Sequence, residues 1–354
     1  MQDYGWYKQV NGPTKLTIFE HVKTENDFNP KRDFMKAIVY TEYGPPDVLQ
    51  LKDVEKPQPK DHEVLIRIKA TAVNSADWRL RKAYPFMVRF FFGLFKPKKN
   101  ILGVVFSGVI ENAGKDVARY KAGDRVFGLS DMNLGSYAEY ICLPETSALA
   151  IKPNNISFEE AAVIPFGGHT ALHFLKKANI KSGQSVLVYG ASGAVGTVAV
   201  QLAKYYGAKV TAVCSTTNTE MVASLGADDV FDYTKTDIIY LDETFDIIFE
   251  TVNKAPISKL KKLLRKNGTL VLGSAMLKEM IRGSLFSLTS DKKVILGEAK
   301  VSADDMNFLK ELVESGKIKP VIDRTYSFEQ IVEAHAYVEK GHKKGNVAVI
   351  LTDE

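Results

Sequence analysis

Residues 185–207 read SVLVYGASGAVGTVAVQLAKYYG, and the fold of the whole chain turns on this stretch. Val186, Leu187 and Val188 make a short apolar run with two β-branched members, the pattern of a buried strand. Gly190, Gly193 and Gly196 follow at even spacing. Val198, Val200, Leu202 and Ala203 then carry a helix that stops at Gly207. Strand, glycine turn and helix in that order make a place for a phosphate. The glycines let the backbone turn tightly and approach a pyrophosphate, whose charge meets the free N–H groups of the helix start. An ordinary tight turn has the same spacing, so the neighbouring residues must decide.

They favour a dinucleotide. Residues 209–213, KVTAV, alternate as a second strand about twenty residues after the first glycine, where such a fold reads the ribose. Cys214, Ser215, Thr216, Thr217 and Asn218 end that strand without an acid. An Asp or Glu there would bind a ribose 2′-hydroxyl and repel a 2′-phosphate, whereas small hydroxyls and backbone donors suit the phosphate. The expected cofactor is NADPH rather than NADH.

At 354 residues the chain is long for one domain, and two are expected. Its 45% hydrophobic and 25% charged content is that of an ordinary globular protein. The net charge of +5 suits an anionic cofactor without requiring nucleic acid. Cys142 and Cys214 are too few for a disulfide framework or a four-cysteine zinc site, which fits a reducing, cytoplasmic setting. No apolar run is long enough to span a membrane. Residues 1–34 have no apolar signal region, and Asp3, Glu20, Glu25, Asp27 and Asp33 argue against an organellar transit peptide. Met35 opens a strand-like MKAIVY, so the preceding residues read as an extension of unknown role.

From 35 to about 152 the pattern is mostly β. Strands are expected at 37–40, 63–70, 104–110, 125–127 and 137–142, broken by turn residues such as Pro45-Pro46 and Lys121-Ala122-Gly123-Asp124. A partly open barrel is expected. From Ser157 helices alternate with strands. Helices are expected at 158–163, 169–178, 220–225, 256–264 and 303–315, and strands at 229–231, 245–249, 269–272 and 294–297. Repeated βα units imply a doubly wound parallel sheet. From Pro320 the pattern returns to strands around one helix at 328–339, which suggests that the tail rejoins the first domain. The expected division is 35–156 with 318–354, and 157–317.

With these pieces in order, the chain resembles the zinc-free members of the medium-chain dehydrogenase/reductase superfamily, close to the quinone oxidoreductases. The resemblance runs from Met35 to Leu351 through MKAIVYTEYGPPDVLQL, VNSADWRLR, GVVFSGVI, YKAGDRVFG, GSYAEY, AAVIPFGGHTAL, VYGASGAVGTVAVQLAK and SLGADDVFDY. It implies an α/β architecture with a GroES-like β-barrel catalytic domain and an inserted doubly wound Rossmann dinucleotide-binding domain. It also implies NADPH and often a homodimer. Zinc members carry a Cys early in the barrel and a Gly-His-Glu further on; here Asn74 and Ser75 stand near the first, and Gly103-Val104-Val105 replaces the second. Valine offers no ligand atom, so no metal is expected. Without a Lewis acid, hydride transfer favours acceptors that are already electrophilic, quinones and α,β-unsaturated carbonyls. An alkenal or enoyl double-bond reductase is the alternative on the same scaffold. The opposing class is an NADPH-binding interaction protein with little turnover.

Asn74 matches the family position beside the nicotinamide, and equally suits a helix cap. Asp77 belongs to the same motif, or pairs with Arg81 at helical spacing. Tyr84 sits where relatives carry a pocket aromatic that can polarise a carbonyl or donate a proton; an exposed loop tyrosine is the plainer alternative. Thr170 lies in a segment that in relatives packs near the nicotinamide. His169 and His173 share a helix face like metal ligands but lack a third, and read better as packing residues. The resemblance assigns the pyrophosphate to Gly193, Ala194, Val195 and Gly196, and the 2′-phosphate to Ser215, Asn218 and Tyr233. Thr217 departs from a position that is often basic. In GHKKGN, Asn346 replaces the family's lysine; Lys343 or Lys344 is the candidate substitute, with a solvated surface lysine as the alternative.

Residues 79–99, RLRKAYPFMVRFFFGLFKPKK, combine seven basic residues with Tyr84, Phe86, Phe90, Phe91, Phe92 and Phe95. A lid over a hydrophobic acceptor is the favoured reading of that composition; contact with an anionic membrane surface, nucleic-acid binding and a core helix with a basic rim are the alternatives. The favoured partners are a small hydrophobic quinone or conjugated carbonyl, with no obligate nucleic acid.

Overall fold

The strand Ser185–Tyr189 lies inside a parallel sheet, as its sequence anticipates. The structure, a computed structural model, describes residues 33–273 and 291–351. The extension expected over 1–34 falls almost wholly outside them. Among the described residues the sheet has six strands in the order Asp229–Asp232, Lys209–Cys214, Ser185–Tyr189, Phe245–Glu250, Leu264–Leu272 and Lys293–Ile295. Every pairing is parallel. Val186 and Val188 face a cluster with Val198, Leu202 and Leu172, while Leu187 faces Leu260, Leu263 and Leu270 on the other side. Both faces are covered, which is why this strand reads as an unbroken apolar run. Its neighbours on the two sides lead in opposite directions, so the glycine turn stands at the switch point of the sheet.

A second sheet runs Ile322–Ser327, Asn346–Ile350, Glu63–Val73, Val105–Ala113, Arg125–Leu129 and Leu149–Ile151, with Tyr140–Pro144 also on Glu63–Val73. Apart from the first pair it is antiparallel. The chain leaves this sheet after Leu149–Ile151, builds the parallel one, and returns at Ile322–Ser327. The strands Phe34–Val39 and Gln50–Glu55 form a separate hairpin.

Three readings change. The helices expected at 158–163 and 169–178 are one helix, Phe158–Lys177, continuous through Pro165. Its inner face is buried from Phe158 to Leu175, and that packing outweighs the hydrogen bond a proline forfeits. Gly167 makes the packing possible, because a Cβ there would stand 2.2 Å from the Ala194 carbonyl oxygen. The helix expected at 256–264 is a single turn, Ile257–Leu260, followed by a 3-10 turn at Lys261–Leu263, since Leu264 already pairs with Phe245. Gln50–Glu55 and Leu149–Ile151 had no usable signal: the first is exposed along nearly its whole length, and the second has three residues.

Candidate active site

The glycine turn is shaped by close approach. Gly190 has φ +81°, and a Cβ on it would meet the Val252 and Thr251 side chains at 2.6 and 2.7 Å. At Gly196 a Cβ would lie 2.2 Å from the Gly190 carbonyl oxygen, so only glycine lets the helix Ala194–Tyr205 begin against the turn. Gly193 caps that helix, with Ala194, Val195 and Gly196 in its first turn. The loop bearing Lys343 crosses directly over it: Gly345 donates to the Ser192 carbonyl at 2.7 Å and bridges Gly193. Lys343 donates to the Gly345 carbonyl, and burial of its ammonium lowers its pKa to about 8. Asn346 turns away from the turn, donating to the Val321 carbonyl at 3.1 Å.

The next strand, Lys209–Cys214, delivers Ser215 and a 3-10 turn, Thr216–Asn218. Asn218 is buried; its amide donates to Ser215 Oγ at 3.0 Å and leaves Oδ1 without a partner. The sequence expectation of a loop without an acid holds for this segment, but the adjacent strand supplies one. Asp232 accepts from the Thr216 hydroxyl and from the Thr234 N–H and hydroxyl, and these bonds, Thr216 first, hold its pKa down to about 2. Reading along one strand cannot reveal a residue contributed sideways by another. Tyr233 is half exposed and stacks on Tyr189, ring centroids 6.4 Å apart. Beside it is a cavity of about 350 Å³ lined by Tyr189, Tyr233, Lys235, Lys254, Pro256 and Lys259. Glu250 also escaped the sequence reading. Buried at the end of Phe245–Glu250, it accepts from the backbone N–H groups of Val252, Asn253 and Lys254, fixing the loop that walls Gly190.

Across the second sheet, Asn74 caps the helix Ser75–Lys82. Its backbone N–H donates to Asp77 Oδ2 at 2.8 Å, while its side-chain nitrogen is buried without a partner. Asp77 is fully buried, which pushes its pKa up to about 7 against the opposing pull of the Asn74 N–H and the Tyr137 hydroxyl. It does not take Arg81. That guanidinium, also fully buried, pairs with Glu339 on the helix Ile331–Glu339, as does Lys82 at 2.6 Å. The i, i+4 expectation fails because Asp77 is engaged with its own helix cap. Behind Asp77, Tyr137 and His335 are buried side by side, Nε2 to hydroxyl 3.2 Å. Burial first, with the Arg81 charge second, pulls the His335 pKa down to about 3.

Tyr84 follows Ala83, which is left-handed at φ +51°; it stacks on Trp78 with centroids 6.0 Å apart and stands 46% exposed. Thr170 donates its hydroxyl to the Phe166 carbonyl of its own helix at 2.7 Å. His169 sits within 3.3 Å of the Ala299 carbonyl, and burial lowers the pKa of both His169 and His173. Val104 and Val105 are buried in the apolar core. Among the described residues no three His, Cys, Asp or Glu side chains are grouped to hold a metal. The dinucleotide is different. The cradle at Gly190 and Gly196, which a Cβ would fill, fits such a ligand.

Residues 60–153 match the family model for the alcohol dehydrogenase GroES-like domain, and residues 225–349 that for zinc-binding dehydrogenases. A 2-methylene-furan-3-one reductase of Solanum lycopersicum is 36% identical over 331 residues, covering 89% of this chain and 79% of its own. An NADPH-dependent alkenal/one oxidoreductase of Arabidopsis thaliana is 35% identical with the same coverage. The quinone oxidoreductase structure from Coxiella burnetii superposes with a TM-score of 0.82 at 27% identity, covering 90% of this chain and all of the other.

Proposed function

The chain belongs to the medium-chain dehydrogenase/reductase superfamily, in its quinone oxidoreductase-like branch, and from that premise we propose an NADPH-dependent oxidoreductase that delivers hydride to a quinone or other conjugated carbonyl without a metal. The observation that carries the reading is the donor set. Where zinc relatives place ligands, this chain offers the Asn74 amide and buried valines, and its glycine turn keeps space that a Cβ would fill. The substrates for which those two relatives are named, a methylene furanone and alkenals or enones, are conjugated carbonyls, as this chemistry requires. Residues 35–156 with 318–354 make the acceptor-binding domain in this reading, and 157–317 the dinucleotide domain. A homodimer follows from the resemblance alone. A reducing, cytoplasmic setting is supported by the two free cysteines, Cys142 and Cys214.

NADPH, when bound, supplies the hydride. Ala194, Val195 and Gly196 would offer backbone N–H groups to the pyrophosphate at the helix start, while Gly193, which donates its own N–H to the Gly190 carbonyl, caps the helix. Ser215, Asn218 and Tyr233 would hold the 2′-phosphate, and Lys343 would add positive charge over the turn. Thr170 would lie toward the nicotinamide end, as the resemblance implies. The Asn74 amide donates to the acceptor oxygen, held rigidly because Asp77 fixes its backbone. Asp77 thus acts as a positioning residue, and Tyr84 Oη returns a proton to the reduced acceptor.

The test is NADPH oxidation against a benzoquinone, a naphthoquinone, a medium-chain enal and a saturated aldehyde. Turnover is expected with the quinones or the enal, with none for the aldehyde and no effect of a chelator. Alcohol oxidation abolished by a chelator would overturn the reading. So would NADPH binding with no turnover on any member of the panel.

A further inference from the structure

We propose that the segment following the helix Ser75–Lys82 docks the protein on the surface of an anionic lipid bilayer. The proposal is independent of which acceptor is reduced. Between Asp77 and Glu111 the chain has no acidic residue but seven basic ones. Two of these, Arg81 and Lys82, share Glu339; no ion pair is formed by Lys96, Lys98 or Lys99 among the described residues. On the same segment Phe90, Phe91 and Phe95 stand 58%, 76% and 88% exposed, with Phe86 and Met87 beside them. Exposed aromatics this numerous on one segment signal a contact surface.

The surface is built, not merely uncovered. Phe92 and Pro97 turn inward, and Lys98 donates its backbone N–H to the Phe92 carbonyl at 2.8 Å. Gly93 takes φ +124°, and its carbonyl accepts the Tyr43 hydroxyl at 2.8 Å. Arg89 lies over the Tyr43 ring at 4.8 Å. Lys99 is held by the Met132 and Asn133 carbonyls at 2.8 and 3.1 Å. A loop pinned at these points leaves Phe90, Phe91 and Phe95 exposed, with Lys96 and Lys98 exposed in the same stretch.

That pairing decides the partner. Phenylalanines enter the boundary between headgroups and acyl chains, while lysines without carboxylate neighbours meet anionic headgroups. Either signal alone binds weakly, and together they give stable peripheral attachment. No described helix is long and apolar enough to cross a membrane, so the contact is with its surface. A lipophilic acceptor dissolved in that bilayer would meet the protein at the helix capped by Asn74.

Sedimentation of the full chain with vesicles tests this. Binding is expected to phosphatidylcholine vesicles that carry phosphatidylglycerol, not to phosphatidylcholine alone, and should weaken as salt rises. Lys96→Gln with Lys98→Gln should lower the partition coefficient about 25-fold, about fivefold for each lysine. Phe90→Ser with Phe91→Ser and Phe95→Ser should reduce it at least about tenfold at low salt. A Phe91→Trp variant should show blue-shifted emission quenched by brominated lipid. NADPH binding, unchanged in each variant, confirms that the site remains folded. The proposal is overturned if wild type does not sediment, or if binding survives the serine substitutions. It is also overturned if RNA binds in preference to vesicles, or if those substitutions turn a dimer into a monomer without any vesicle binding.

Discussion

The phosphate cradle and the polar cluster behind Asn74 serve neighbouring parts of one proposed site, yet they are made in opposite ways. The cradle is local: Gly190, Gly193 and Gly196 lie within seven residues, and its geometry is set by backbone approach. The cluster is assembled from Asp77, Arg81, Tyr137, His335 and Glu339, and the Arg81–Glu339 pair spans 258 positions. A local device depends on shape and tolerates little change in volume. An assembled one depends on charge balance in a place without water.

Gly196→Val gives the largest expected effect and tests the first half of that contrast. A Cβ 2.2 Å from the Gly190 carbonyl must displace the turn from the helix start. NADPH affinity, measured by fluorescence titration, should fall about 100-fold, or about 2.7 kcal/mol. Thermal stability should fall less, by the packing lost where the helix start shifts from the sheet. Equal losses in both would mean that the cradle is structural.

This difference also explains what the sequence disclosed. Strand, turn and helix at residues 185–207 follow from short-range rules, as does the parallel order of the sheet around them. Asp77 and Arg81, four apart on one helix, offered the same kind of local argument and it misled, because Glu339 arrives from the far end of the chain. Asp232 reached Thr216 from the next strand in the same way. Pro165 reads locally as a break, yet packing carries the helix through it. Tyr84 reads from sequence either as a pocket aromatic or as an exposed loop tyrosine, and its stacking on Trp78 and its exposure depend on how the loop folds back.

Glu339→Gln probes the assembled half. It leaves the fully buried Arg81 without its carboxylate. Removing one member of a buried pair costs roughly 3–5 kcal/mol, but Glu339 is itself 23% exposed and shared with Lys82, so about 2 kcal/mol is expected from chemical denaturation. NADPH affinity should stay within about twofold, since the cradle shares none of these residues. A neutral result would show that water reaches Arg81 once the helix loosens.

The smallest effect is the most discriminating, because the cluster holds two groups displaced in opposite senses. Asp77, raised to about 7 by burial, binds a proton more tightly folded than unfolded; its contribution is present at acid pH and lost as pH rises toward 7. His335, lowered to about 3, resists protonation when folded. Its contribution is present above the unfolded histidine value and lost as pH falls through the range from about 6.5 to 3. Between pH 4 and 6.5 the two slopes oppose each other, so the wild-type protein should vary little in stability. Asp77→Asn keeps an oxygen for the Asn74 N–H while removing the titration, and stability should then climb by on the order of 1 kcal/mol from pH 5 to 7. His335→Asn should reverse the sign over the same interval. Parallel profiles in all three proteins would show that neither group is held in its buried state, and the cluster would then be a set of separate contacts rather than one balanced charge.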